Sequence, residues 1–421
     1  MSKLNVLVVG ASIAGPATAY WLARAGAKVT VIERFSSLRT GGQAIDIRTA
    51  GVTVMRKIPG MEAQVRAKLM PEEGVSFVDA AGRSYGTIRP SGNPDQQTII
   101  SEFEILRGNL SEILYGYTKN NKDVTYIFGE EIASMSQSAS NSSGPVRVEF
   151  ANGTKPQDFD LVVACDGAFS RTRASAFGWG AREHVKAINA WAAYFCIQSD
   201  LLDGSRIGRG RSAVGGRFVT VGSDPGGFSR IMLINVHGMD KDDRMIPYRQ
   251  ATAQGTDELK RYIAQHYADA GWIVDRVLDE MMDSKDFYSS EFVKVQVPKL
   301  SNGRVVLVGD SGYAAPTGNS TSMALAGAYI LAGELGKHPG DIEAGLKAYE
   351  ERIQPLIDDM QKLSPFVFTI MAPQTAWGIW IRNHLFALIA WTGLVEFVSK
   401  YLAPGFASTK AFPLPEYEWA N

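Results

Sequence analysis

The chain has 421 residues, and its 43 lysines and arginines nearly balance its 44 aspartates and glutamates, which gives a formal net charge of -1. This length allows two or three hydrophobic cores, and the balanced charge provides no field that would attract nucleic acid or an anionic membrane. Only two cysteines occur, with no histidine and cysteine spacing typical of a metal site, which favours a reducing compartment and metal-free chemistry. The expected partner is therefore a small molecule.

The first elements form a βαβ unit. An apolar strand at 6–9, a helix rich in small residues at 13–25 and a second strand at 28–32 follow one another. No charged leader with a long apolar core and a cleavage site precedes them, so we expect a cytoplasmic protein.

The next elements are predicted from periodicity. Apolar side chains at helical spacing predict a helix over 104–117, after an extended segment at 97–100. Three further runs predict a three-stranded appendage, with strands at 124–127, 146–150 and 160–164 and a polar loop at 136–144.

A second sheet-based unit is predicted between 178 and 298, with strands at 187–197, 217–221 and 231–236. The chain then returns to the first unit with a strand at 305–308 and helices at about 320–335 and 341–362. Farther on, the longest uncharged run is 385–395, well short of the roughly 20 residues that span a bilayer. We expect a buried or bridging helix there without membrane contact, and a membrane-surface helix is the alternative.

The turn after the first strand matches most of the G-x-G-x-x-G fingerprint of dinucleotide-binding folds. Gly10 and Gly15 take the first and third glycine positions, and Ser12 takes the second. In this fingerprint the glycines make the turn, admit a pyrophosphate and let the helix pack on the strand. The Ser12 hydroxyl can donate to a phosphate, and Ala14 completes the predicted phosphate-binding turn; a turn without a ligand is the alternative.

Glu33 ends the second strand about twenty residues after the glycines, where an acidic residue can accept hydrogen bonds from ribose hydroxyls. A carboxylate there disfavours a 2′-phosphate, which favours FAD or NAD over NADP. We assign the adjacent Arg34 to the same site, with a solvated strand end as the alternative. A second apolar strand stops at Gly309-Asp310, and such strand ends line one crevice in a doubly wound fold.

Three motifs together resemble the signature of the single-component FAD-dependent aromatic hydroxylases, the family that includes p-hydroxybenzoate hydroxylase and the tetracycline-inactivating monooxygenases. They are the glycine turn with Glu33, the segment Cys165-Asp166-Gly167-Ala168-Phe169-Ser170-Arg171-Thr172-Arg173 and the pair Gly309-Asp310. The resemblance implies that Asp166 and Gly167, followed by Arg171, touch FAD and take part in binding the reduced nicotinamide. It also implies that Arg107 reaches the cofactor and that Arg48 passes near the flavin. A helix cap is the alternative for Asp166, and a surface arginine for Arg107.

The resemblance further implies that Asp310 binds the ribityl chain and that Pro316 lies against the flavin ring. Gly318 and Asn319 open a helix whose N-terminal amides would face the pyrimidine end of the flavin. The chain departs from the family after Asp310, where it has Ser311-Gly312-Tyr313.

The predicted fold is α/β: a Rossmann-like FAD-binding domain with an inserted sheet-based substrate domain and a C-terminal helical segment. The predicted boundaries are 1–72, 100–178 and 299–364 for the FAD-binding domain, 73–99 and 179–298 for the substrate domain, and 365–421 for the C-terminal segment. The last of these resembles the helix that bridges the two domains in the tetracycline-inactivating members.

The implied function is that of an NAD(P)H-dependent flavoprotein monooxygenase. NADH or NADPH would reduce FAD, O2 would give a flavin C4a-hydroperoxide, and one oxygen atom would enter an aromatic or polycyclic small molecule. Trp191, Tyr194, Phe195 and Gln198 lie on or beside one predicted strand, and Tyr194 is the candidate catalytic phenol, with a packed sheet aromatic as the alternative. His237 and Tyr288 are further candidates. A flavin-dependent dehydrogenase or reductase and a non-catalytic FAD-binding protein stay open, as do the substrate, the choice of NADH or NADPH and the oligomeric state.

Overall fold

The computed structural model describes residues 3–39, 41–89, 101–137, 144–224, 226–238, 242–316, 318–362, 370, 372–392 and 413–420. The extended segment predicted at 97–100, most of the loop at 136–144 and much of the region after 365 lie outside them.

The described strands are β1 (Asn5–Val9), β2 (Lys28–Glu33), β3 (Ala44–Asp46), β4 (Gly74–Val78), β5 (Ser84–Ile88), β6 (Glu104–Leu106), β7 (Val124–Phe128), β8 (Ile132–Gln137), β9 (Val146–Phe150), β10 (Gln157–Phe159), β11 (Leu161–Ala164), β12 (Val185–Ile197), β13 (Ile207–Ala213), β14 (Arg217–Ser223), β15 (Ser229–Val236), β16 (Tyr288–Val295), β17 (Ser301–Asn302) and β18 (Val305–Leu307). The described helices are α1 (Ala14–Arg24), α2 (Thr49–Lys57), α3 (Met61–Arg66), α4 (Arg107–Thr118), α5 (Arg171–Phe177), α6 (Ile246–Gln254), α7 (Thr256–Tyr267), α8 (Val274–Asp283), α9 (Asp310–Tyr313), α10 (Ser320–Lys337), α11 (Ile342–Met360) and α12 (Ala376–Thr392).

A six-stranded sheet in the order β17-β18-β11-β1-β2-β7 forms the first unit, and all its pairings are parallel except that of β17 with β18. Residues 6–9 and 161–164 are buried and wholly apolar, as expected for parallel strands covered on both faces. The prediction of a three-stranded appendage was wrong, because β7 and β11 belong to this sheet. Of the three predicted strands, only β9 belongs to the separate sheet β10-β9-β8. This sheet packs Val146, Val148 and Phe159 against Leu7 and Val162 of the first sheet.

The helix predicted over 104–117 begins three residues late. Residues Glu104–Leu106 form β6, which pairs antiparallel with β3, and α4 starts at Arg107. The pairing with β3 therefore overrides a helical spacing of apolar side chains that extends unbroken across both elements.

A seven-stranded sheet in the order β16-β12-β15-β14-β13-β4-β5 forms the second unit. Helices α6, α7 and α8 cover one face, and their core with the sheet includes Trp191, Phe195 and Tyr267. A smaller cluster joins the second sheet to the C-terminal region, where Ala190 and Val236 meet Ala372.

The C-terminal region is only partly helical. Helix α12 lies along the edge of the second sheet, where Phe386 meets Phe77 at a ring-centroid distance of 4.7 Å. Residues 413–420 form neither helix nor strand and pack Tyr417 and Trp419 on the first unit, so the helical part of the predicted segment 365–421 does not include them. Among the described helices, none is both long and apolar enough to cross a bilayer.

Candidate functional site

The glycine turn brings three segments into close contact at the carboxyl edge of the first sheet. Gly10 has φ +103°, and a Cβ there would lie 2.7 Å from the Cys165 carbonyl oxygen. A Cβ on Gly15 would overlap the Gly10 carbonyl oxygen. Both positions therefore require glycine, because the strand, the turn and the start of α1 are packed backbone to backbone.

Glu33 holds this turn from the next strand. Its carboxylate accepts hydrogen bonds from the Ala11 amide at 2.8 Å and the Phe35 amide at 3.1 Å. Each carboxylate oxygen has further acceptor capacity, so ribose hydroxyls could still bind there. Arg34 is exposed and lies 5.0 Å from the centre of the Phe35 ring.

The Asp166 carboxylate caps the first turn of α5 together with Ser170, the N-cap residue, whose hydroxyl accepts from the Arg173 amide at 2.8 Å. The carboxylate accepts hydrogen bonds from the Ser170 hydroxyl at 2.5 Å, the Thr172 amide at 3.1 Å and the Thr172 hydroxyl at 2.9 Å. These contacts give Asp166 the capping role that the sequence left as an alternative. Gly167 follows with φ +88° and open space where a Cβ would stand. The Arg171 side chain takes no part in these contacts and forms an exposed ion pair with Glu131 at 3.1 Å.

Arg173 is buried and connects the second motif to the third. Its guanidinium donates hydrogen bonds to the carbonyl oxygens of Ala168, Ala181 and Ser311 at 2.9, 3.1 and 2.7 Å. These hydrogen bonds from its two terminal nitrogens offset much of the cost of burying the cation. The sequence motif contained Arg173, but nothing in it predicted the inward orientation.

Asp310 stands at the end of β18 beside the glycine turn. Burial raises the pKa of its carboxyl group, and a hydrogen bond with Ser320 and the charge of Arg107 oppose that rise. A Cβ on Gly309 would lie 3.1 Å from the Ala14 Cβ, so α1 and the Asp310 strand end meet closely.

Residues 311–313, where the sequence departs from the family pattern, face the protein core. The buried Ser311 hydroxyl donates to the Ala164 carbonyl oxygen at 2.6 Å, and the Tyr313 hydroxyl lies 3.1 Å from that of Tyr349. A Cβ on Gly312 would lie 2.9 Å from Leu300. The differences from the family at 311–313 therefore affect packing in the core behind the cofactor site. The other difference, Ser12, lines a cleft.

Arg48 links β3 to α10. Its amide donates to the Ser322 hydroxyl at 2.8 Å, and its buried guanidinium pairs with Asp46 at 2.8 Å. Two further carboxyl groups lie close by. Burial raises the pKa of Glu72 to about 7, and burial together with the charges of Asp46 and Glu72 raises the pKa of Glu104. Asp46, Glu72 and Glu104 come from separate segments, so no local motif predicts that their carboxyl groups gather near Arg48.

The turn before α10 contains the remaining predicted residues. Pro316 is partly buried, Gly318 is exposed with φ +76°, and Asn319 is buried directly before the helix. The Ser320 hydroxyl accepts a hydrogen bond from the Ala315 amide at 3.0 Å. The first turn of α10 therefore lies beside Asp310.

A cleft of about 380 Å³ separates the glycine turn from the edge of the second sheet, and it is lined by Ser12, Ser37, Leu38, Arg39, Gly41, Gly42, Arg107, Lys285, Asp286, Phe287 and Tyr288. Burial and the neighbouring Arg107 lower the pKa of Arg39. Of the predicted residues, the structure brings Ser12, Arg107 and Tyr288 to this cleft. Sequence reasoning missed Arg39 and Lys285, whose only signal was their positive charge.

Tyr194 lies on the face of the second sheet opposite α6 to α8. Its ring stacks on Tyr288 with centroids 6.4 Å apart, and burial raises the pKa of its hydroxyl above the usual range. Trp191 and Phe195 point to the opposite face, in the core with α6 to α8. His237 lies 6.1 Å from His266 of α7, ring centre to ring centre, and burial lowers its pKa to about 4.

Comparison with known proteins agrees with this arrangement. Residues 3–356 match the family described as FAD binding domain. The chain is 32% identical over 405 residues to the flavin-dependent monooxygenase eupH of Phoma sp, covering 90% of each protein. It is also similar to the tetracycline destructases Tet(55) and Tet(51). Their crystal structures have TM-scores of 0.74 and 0.73 at 28% and 27% identity, covering 99% and 96% of this chain and 99% of each of theirs.

Proposed function

Because the chain belongs to the FAD binding domain family and its relatives are flavin-dependent monooxygenases, we propose that it is an NAD(P)H-dependent monooxygenase acting on an aromatic or polycyclic small molecule. The overall reaction consumes NAD(P)H, a proton and O2, inserts one oxygen atom into the substrate, and releases NAD(P)+ and water. Bound FAD supplies the redox and oxygen chemistry. The protein must hold FAD, orient the substrate and exclude water.

The carboxyl edge of the first sheet would hold FAD. The amides at the start of α1 suit the pyrophosphate, and Glu33 has acceptor capacity for the ribose. Arg107 supplies a cation near the phosphates, and Asp310 suits the ribityl hydroxyls. The close packing of Gly10, Gly15 and Gly309 supports this proposal, since a turn that packs backbone to backbone between strand and helix is typical of dinucleotide-binding folds.

One observation carries the assignment to an aromatic substrate: the cleft that joins the nucleotide turn to the aromatic edge of the second sheet. Phe287 and Tyr288 line it, and Tyr194 stacks on Tyr288. Flat rings of this kind pack well against a planar substrate. The Tyr194 hydroxyl is protonated at neutral pH and burial raises its pKa further, which favours a role as hydrogen-bond donor to a substrate oxygen over one as a phenolate base.

The charge of the cleft supports a nicotinamide dinucleotide as the reductant. Arg39, Arg107 and Lys285 face the same opening, and Asp286 is the acidic residue among its lining side chains. Several cations around one cleft favour the phosphates of NADH or NADPH through electrostatic attraction.

The test uses FAD-loaded protein and a panel of phenolic and fused-ring compounds. We expect a yellow protein, NADH or NADPH oxidation stimulated by a compound of the panel, and a product with one added oxygen atom. Stopped-flow absorption should detect a flavin C4a-hydroperoxide. Reduction of the flavin followed by transfer to an acceptor other than O2 would instead identify a dehydrogenase, and protein that takes up no FAD would contradict catalysis.

A further inference from the structure

Residues 413–420, which we call the C-terminal clasp, insert a tyrosine into a slot on α10. A Cβ on Gly333 would overlap the Tyr417 ring, so this ring needs glycine beneath it. The Tyr417 hydroxyl donates a 2.7 Å hydrogen bond to the buried Glu334 carboxylate. The cations Lys337 and Arg352 lie farther from that carboxylate, at 3.9 and 3.7 Å. The clasp therefore supplies the close hydrogen bond that this buried charge requires.

An aromatic cluster holds the rest of the clasp. The Trp419 ring lies 4.7 Å from Trp21 of α1 and 5.6 Å from Tyr329 of α10, centre to centre. The Tyr329 hydroxyl donates to the Pro415 carbonyl oxygen at 2.7 Å. Aromatic anchors and a main-chain hydrogen bond together recognise both the side chains and the direction of a peptide.

The charges of the clasp and its groove are complementary. Glu416 pairs with Lys57 at 2.6 Å, and Lys337 lies 4.6 Å above the Tyr417 ring. Because Glu416 is largely exposed, this ion pair contributes to specificity more than to stability.

The groove is connected to the cofactor site through its two helices. Near their N-termini, Ala14 of α1 and Ala324 of α10 flank Gly309, where a Cβ would lie 3.1 and 3.3 Å from their Cβ atoms. Toward their other ends, the clasp joins Trp21 to Gly333. Holding the two helices together at one end restrains the spacing at the other.

We propose that α1 and α10 form a peptide-binding groove whose ligand is the chain's own acidic, aromatic C-terminal segment, and that filling this groove slows the release of FAD. The groove recognises the segment as a ligand separable from the rest of the chain. This inference rests on FAD binding and not on the proposed reaction.

The first test measures binding in trans. A fluorescent peptide of residues 413–420 is titrated into the chain truncated after residue 412 and followed by anisotropy. We expect saturable binding that weakens roughly thirtyfold or more in a Tyr417→Ala peptide, as for a buried anchor residue. Absence of saturable binding, or equal binding of both peptides, would overturn the proposal. So would equally tight binding to the full-length chain, whose groove should be occupied.

The second test uses the full-length protein, which keeps the proposal testable if the truncated chain does not fold. Gly333→Ala fills the tyrosine slot, whereas Gly336→Ala on the same helix meets only Ala25 at 3.9 Å and is the matched control. We expect Gly333→Ala to release FAD severalfold faster on dilution and to lose its C-terminus sooner to protease, with Gly336→Ala matching the wild type. Identical behaviour of the two variants would refute the clasp. Neither FAD release nor proteolysis requires turnover, so a negative result in this test is distinguishable from a failure of the proposed reaction.

Discussion

Gly15→Ala tests how the glycine turn presents the cofactor site. The added methyl group would overlap the Gly10 carbonyl oxygen, and neither atom belongs to a flexible side chain. The turn must therefore move by roughly 1 Å before the contact becomes tolerable, since overlap of packed atoms is steeply unfavourable. Overpacking of this kind costs about 2 kcal/mol, which corresponds to a roughly thirtyfold weaker binding of FAD if the displaced turn carries the cost.

The assay titrates apo protein with FAD and follows the quenching of flavin fluorescence, with circular dichroism to verify the fold. The matched control is Gly116→Ala, on the exposed side of α4, where a Cβ meets nothing within 4 Å. We expect the control to bind FAD like the wild type. A folded Gly15→Ala protein that binds FAD within about twofold of the wild type would refute the role of the turn.

Three further predictions concern buried polar groups. Arg173→Met leaves three carbonyl oxygens without their donor, so urea denaturation should show that the free energy of unfolding falls by roughly 3 kcal/mol or more. The control Arg171→Met removes only the exposed ion pair with Glu131 and should change the free energy of unfolding by less than about 1 kcal/mol. Tyr194→Phe keeps the ring and removes the hydroxyl. We expect this variant to bind FAD as tightly as the wild type but to form severalfold less product per NAD(P)H oxidised. The same ratio of product to NAD(P)H in both proteins would exclude the hydroxyl from catalysis. The pKa of Glu72 rises from 4.5 to about 7 on folding, so between these two pH values the folded chain keeps a proton that the unfolded chain has lost. The free energy of unfolding should therefore fall by at most about 3 kcal/mol as the pH rises from 4.5 to about 7. Glu72→Gln should flatten the dependence of Tm on pH there, and an unchanged profile would contradict the raised pKa.

The nucleotide-binding turn was predictable because its signals are local. Gly10 and Glu33 stand at the ends of apolar strands and Gly15 lies in the first turn of α1, and the packing at these strand ends determines which residues fit. The same holds for Asp310 after β18. Three-residue β6 was not predictable, because Ile105 and Leu106 continue the helical spacing of α4 and only the distant β3 makes them a strand.

The order of the strands and the clasp depend on contacts between distant residues. Strand β11 lies between β1 and β18 because parallel pairing joins segments that are far apart in the chain, which periodicity does not reveal. Alternation predicts that Tyr194 and Phe195 point to opposite faces, but the later helices α6 to α8 determine which face is the core. Likewise, the slot for Tyr417 exists only where Gly333 meets it in space.

Turnover of the FAD-loaded protein under isotopically labelled O2 tests whether the protein is a monooxygenase. With NADH or NADPH and a stimulating compound from the phenolic and fused-ring panel, we expect a product that contains one labelled oxygen atom. A reduced flavin that passes its electrons to another acceptor, with product free of labelled oxygen, would contradict this function.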